Sequence, residues 1–135
     1  MNAYCSIHSL YPFDETVGRI EGALRAAGNT IFARIDQAAA ARAAGLSLRP
    51  TVAIVFGNPK AGTGLMQTSP AFALELPLKI VVWQGDDGTV TVAYRFLRVL
   101  AQTNPIAGQD ALLATLDERI GTLLHVALET HPEGT

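Results

Sequence analysis

The period of the apolar positions changes along this chain, and each change predicts an element. Residues 3–10 set Tyr4, Ile7 and Leu10 among small polar residues, which predicts a first strand. From Pro12 onward, Phe13, Val17, Ile20 and Leu24 recur at helical spacing. Asp14 and Glu15 complement the positive end of that helix, Arg25 falls in its last turn, and Gly28 is placed to end it. Residues 30–36 alternate Ile31, Ala33 and Ile35 against Phe32 and Arg34, the period of a strand. Residues 37–44 are nearly all alanine and predict a short helix, with Asp36 as N-cap and Gly45 as stop. Residues 51–56 are apolar without alternation, so the strand they predict has no solvated face.

The pattern then breaks. Residues 59–69 carry glycines and a proline and read as a loop, with at most a turn of helix at 65–68 and another at 70–74. Residues 79–84 and 89–94 form a hairpin closed by Gly85-Asp86-Asp87-Gly88, with Val90, Val92 and Tyr94 on one face of its second strand. Asn104-Pro105 marks a turn, and Leu112, Leu116, Ile120, Leu123 and Ala127 give a final helix its stripe. Residues 131–135 should fray. The expected architecture is α+β, one domain over residues 1–135. A single mostly antiparallel sheet carries its two main helices on one face.

Composition adds a partner to this picture. Of 135 residues, 49% are apolar and only 16% charged, and so little surface charge favours an interface. The second sheet face is expected to pair with another copy, making a homodimer. A net charge of −2 with no Lys/Arg run excludes a nucleic-acid footprint. One cysteine, Cys5, rules out an internal disulfide and suits a reducing compartment. No signal peptide and no apolar run near the ~20 residues of a membrane span are visible. The expectation is a cytoplasmic protein without membrane contact.

Candidate chemistry centres on the segment from Pro50 to Met66, where an apolar strand feeds Gly57-Asn58-Pro59-Lys60-Ala61-Gly62-Thr63-Gly64. The Gly-Lys-Ser/Thr run of a phosphate-binding P-loop is missing, and so is Gly-x-Gly-x-x-Gly. What survives is an anion site built from backbone N–H groups near Gly62–Gly64, Lys60 and the Thr63 hydroxyl. The alternative is a tight turn in which glycine supplies positive φ. Trp83 and Tyr94, on neighbouring strands, could line a pocket beside it, although core or dimer-face packing explains both.

The other groups are poorer candidates. Cys5, His8, His125 and His131 lack the spacing of a metal site, and no metal or cofactor is expected. Cys5 reads as a small core residue, and His125 as a polar-face residue of the last helix. Asp14-Glu15 caps a helix, Asp86-Asp87 makes a turn, and Asp117-Glu118 falls on a solvated helix face, so none is an acid/base pair. No Gly-x-Ser-x-Gly elbow is present for a serine nucleophile.

Leu48-Arg49-Pro50-Thr51, Val55 through Thr63 and Leu65-Met66 together resemble the core motif of domain-of-unknown-function family 302. Pro12 through Val17, Phe32 through Asp36 and Leu76 through Trp83 agree in order, so the likeness covers about residues 11–94. The resemblance implies a small soluble prokaryotic protein with a TATA-binding-protein-like fold, β-α-β(4)-α, often a homodimer. It implies no reaction and no catalytic residue. After Tyr94 the family tends to continue with polar Asn and Asp-type residues, where this chain has Arg95-Phe96-Leu97. Three functions follow as expectations. The first is a homodimeric module binding a small, anionic ligand through Asn58, Lys60, Gly62, Thr63, Gly64 and Met66, with Trp83 or Tyr94 nearby. The second is an enzyme using Lys60 and the loop amides, and the third a purely structural dimerisation domain.

Overall fold

A computed structural model describes residues 4–130. Its elements are β1 (Cys5–Ser9), α1 (Phe13–Ala26), β2 (Thr30–Asp36), α2 (Gln37–Ala43), β3 (Thr51–Gly57) and α3 (Pro59–Thr68). A 3₁₀ turn (Pro70–Leu74), β4 (Leu78–Gln84), β5 (Val90–Tyr94), α4 (Leu97–Thr103) and α5 (Asp110–Leu128) complete it. The start of the first expected strand at Ala3 and the tail from His131 lie outside the described residues.

The five strands form one antiparallel sheet in the order β1-β5-β4-β3-β2. The α+β architecture is therefore the expected one. Val52, Ile54 and Phe56 of β3, Ile80 and Val82 of β4, and Val90, Val92 and Tyr94 of β5 share one face. They pack against Val17, Ile20 and Leu24 of α1 and Leu124 and Leu128 of α5, which makes the main core. Burying each such side chain stabilises the fold by roughly 1.5–3 kcal/mol.

Strand β2 corrects the simple alternation. Its register slips between Ile31 and Ala33, so Phe32 forms a bulge. Ile31 therefore pairs with Phe56 on the helix side, whereas Ala33 and Ile35 pair with Val55 and Ala53 on the open side. The same slip turns Arg34 towards the helices, where its guanidinium makes a two-pronged ion pair with the buried carboxylate of Glu21 on α1. Phe32 lies against Gly57: a Cβ there would come within 3.1 Å of its ring. Gly57 thus serves a close side-chain approach.

Two further corrections concern helices. α4 was not expected at all. In α5 the buried positions are Leu113, Asp117, Leu124 and Leu128, one position round from the expected stripe. Leu116, Ile120 and Leu123 are half-buried beside them, and Leu112 is exposed. Leu113 joins Leu65, Phe72, Leu97 and Ile106 in a second core, which ties α3, the 3₁₀ turn, α4 and α5 together at one end of the sheet.

Candidate functional site

The segment expected to be a glycine loop is a ten-residue helix, α3. Asn58 caps it, its Oδ1 accepting from the Lys60 N–H at 3.1 Å, and Pro59 stands at the first position, where a missing N–H costs nothing. Two glycines weaken the helix by about 1 kcal/mol each, and the buried Leu65 offsets this by docking it into the second core. None of Gly57, Gly62 and Gly64 has positive φ, so the tight-turn explanation falls with the loop. The Gly62 N–H donates to the Asn58 carbonyl at 2.8 Å, and the amides after it lie inside a helix, directed at carbonyls four residues back. An exposed amide cradle at Gly62–Gly64 is not what the backbone forms.

The eight candidate residues part company in three dimensions. Asn58, Gly62, Thr63 and Met66 line a groove of about 1210 Å³. Lys60 and Gly64 are exposed and lie outside its lining. Trp83 pairs with Thr91 and so sits on the open face of the sheet. Tyr94 pairs with Ile80 and turns its ring to the opposite face, edge-on to Phe96 at 5.5 Å between centroids, although both Trp83 and Tyr94 border a recess on the open face. Burial, with Cys5 alongside, pushes the Tyr94 phenol above its ordinary range, as a core tyrosine requires.

The groove has walls of small and apolar residues. Ala23, Ala26 and Ala27 at the end of α1 form one side, and Leu116, Leu123 and Val126 of α5 another. Ala61 and Met66 of α3 and Leu76 and Pro77 close it, over Phe56 at the base. Phe32, 56% exposed, and Val126, 72% exposed, stand at its mouth. Its two asparagines already have partners, Asn58 as above and Asn29 donating to the Leu24 carbonyl at 3.2 Å. Glu118 and Arg119 bring the only charges, and neither is in an ion pair among the described residues.

Sequence reasoning missed most of this groove, but a signal was present. The apolar arc of α5 is too wide for a helix packed on one side: Leu113, Leu124 and Leu128 already fill the core face, leaving Leu116, Ile120 and Leu123 over.

Asp117 is also a correction, since it is 3% exposed and not solvated. Its carboxylate accepts from the Leu97 N–H at 2.5 Å and the Arg98 N–H at 3.2 Å, capping α4 from twenty positions away. Burial raises its pKa, while the two amides pull the other way. Cys5 is half-buried against the main core, and His125 Nδ1 bonds the Thr130 hydroxyl at 2.7 Å. Among the described residues no three His, Cys, Asp or Glu side chains gather as a metal site would need.

Comparison with known proteins sets this geometry in context. A family model described as Domain of unknown function DUF302 matches residues 5–124. Curated relatives from Brucella suis biovar 1 (strain 1330) and Brucella abortus biovar 1 (strain 9-941), both named Fluoride-specific ion channel FluC 1, are 32% identical over 123 residues. That stretch is 90% of this chain and 48% and 46% of theirs, so the chain spans about half the length of the curated relatives it matches. A solved structure described as uncharacterized conserved protein DUF302 from Bacillus stearothermophilus aligns with a TM-score of 0.78, covering 96% of this chain and 98% of that one. At 20% identity this likeness carries the fold alone.

Proposed function

The chain belongs to the DUF302 family, which has no established activity, and on that footing we propose that it is a small-ligand-binding module. The ligand lies in the groove between α1, α3 and α5, with an apolar body against Leu116, Leu123, Met66 and Phe32. One observation carries the reading: a groove somewhat larger than the roughly 300–1,000 Å³ of ordinary ligand pockets, with large apolar side chains left exposed at its mouth. The half of the expected site at Asn58, Gly62, Thr63 and Met66 stays in the proposal. Lys60 and an anion held by backbone amides do not, because the α3 amides point into their own helix.

The test is binding of a neutral, polarity-sensitive dye, Nile red. Ala26→Trp fills the groove from an exposed helix position and is expected to weaken binding at least about tenfold, or about 1.4 kcal/mol, with the circular dichroism spectrum unchanged. Equal affinity in a folded Ala26→Trp variant would refute the groove as the site.

A second reading concerns pairing, and edge strand β2 favours it. Its outer edge pairs with no strand among the described residues, and Ile35 is 41% exposed on the open face. We infer a homodimer formed through the sheet at this edge. Light scattering should give twice the chain mass, and Ile35→Glu should return the monomer. A wild-type monomer at micromolar concentration would defeat it.

The channel activity printed in the relatives' names is not assigned to this chain. Among the described residues no helix is long and apolar enough to cross a membrane.

A further inference from the structure

The open face of the sheet carries a second recess, of about 670 Å³, where it meets the 3₁₀ turn and α4. The pairing of β3, β4 and β5 puts Val55 beside Lys79 and Val81 beside Ala93, and Trp83 lies further along the same face. Lys79 precedes Ile80 and Arg95 follows its partner Tyr94, so the two cations stand side by side at one end of an apolar floor. Neither is in an ion pair among the described residues. The recess does contain one carboxylate, Glu75, but it accepts from the Asn104 side-chain amide at 2.6 Å.

Two uncompensated cations beside a floor of Val55, Val81 and Ala93, with an indole at its far side, define a particular complement. The charges recognise an anion, the floor an apolar body, and Trp83 the face of a ring. We propose that this recess binds a small organic acid, a compact apolar or aromatic body bearing one carboxylate, with Lys79 and Arg95 holding the anion and Trp83 packing on the body. The site is distinct from the groove on the helix side of the sheet, the two linings having only Pro77 and Leu78 in common. Ile35 lies on the same face as the recess, with Ala53 of β3 between it and Val81.

Trp83 is the only tryptophan in the chain, so its emission reports this recess directly. The probe is 4-tert-butylbenzoate, with 4-tert-butylbenzamide as its uncharged analogue. The acid should shift Trp83 emission saturably without displacing Nile red, and the amide should bind at least about tenfold more weakly. Lys79→Gln and Arg95→Gln should each weaken the acid about tenfold, the effect of one charge-assisted contact. Arg42→Gln, on α2, should leave it unchanged. Equal binding of acid and amide, unaltered affinity in both recess variants, displacement of Nile red, or a Trp83 shift that follows protein concentration instead of probe would each overturn the proposal.

Discussion

Replacing Phe72 by alanine is expected to cost about 4 kcal/mol of stability, within the roughly 3–5 kcal/mol typical of truncating a buried phenylalanine. Phe72 is 0% exposed, the centre of the second core, in contact with a cluster drawn from four elements. That core is small, with five buried side chains, so the loss of one ring removes a large share of its packing. The effect extends to the groove, because Leu65 and Leu97 belong to both the second core and the groove lining. Urea unfolding should show a lower midpoint with an unchanged slope, and Nile red affinity should fall in whatever fraction remains folded. Phe72→Leu should lose less than half as much. A loss under about 1 kcal/mol for Phe72→Ala would mean that the second core does not hold α3 and α5 in register.

How much of this was legible beforehand depends on which physical signal decides each element. α1, α2 and the β4–β5 hairpin follow from local chemistry: a periodic stripe, an Asp36 cap, a glycine-rich turn. The sequence carries these signals within a few residues, and the structure agrees. The apolar run of β3 predicts cover on both faces, and the structure supplies it in part: the helices cover Val52, Ile54 and Phe56, whereas Val55 is half-buried on the open face.

The misses share a cause. α3 reads as loop because glycine propensity opposes a helix. The Asn58-Pro59 start and the docking of Leu65 decide otherwise, and only the first is a local signal. The bulge at Phe32 depends on Gly57 of another strand leaving room for its ring. α4 has no side-chain cap of its own; the acceptor for its first amides comes from α5. The sequence pairs Trp83 and Tyr94 as pocket neighbours because they lie on adjacent strands. The register directs their side chains to opposite faces, yet both residues border the recess on the open face. Long-range partners thus decide what local patterning leaves open, and the groove is built almost wholly from them.

Asp117 is the sharpest case, and removing it is the second large effect to expect. Asp117→Ala strips the acceptor from the amides of Leu97 and Arg98, the first buried and the second partly so. An orphaned buried donor costs roughly 1–3 kcal/mol, so the expected loss is about 3 kcal/mol at neutral pH, a fall in Tm of roughly 10 °C for a chain of this size. The pH dependence has a definite sign. Burial raises the pKa of Asp117 above its ordinary 3.8, so the folded state holds a proton that the unfolded state has already released. Between those two values the native chain binds more protons, and stability therefore declines as pH rises through the window. Asp117→Ala lacks that titration, so the gap between wild type and variant should be widest below about 3.8 and narrowest above the raised value. Unfolding midpoints across the acid range would measure it. A gap that widens with rising pH would show instead that the two amides stabilise the carboxylate by more than burial costs it, and that Asp117 is a conventional charged cap.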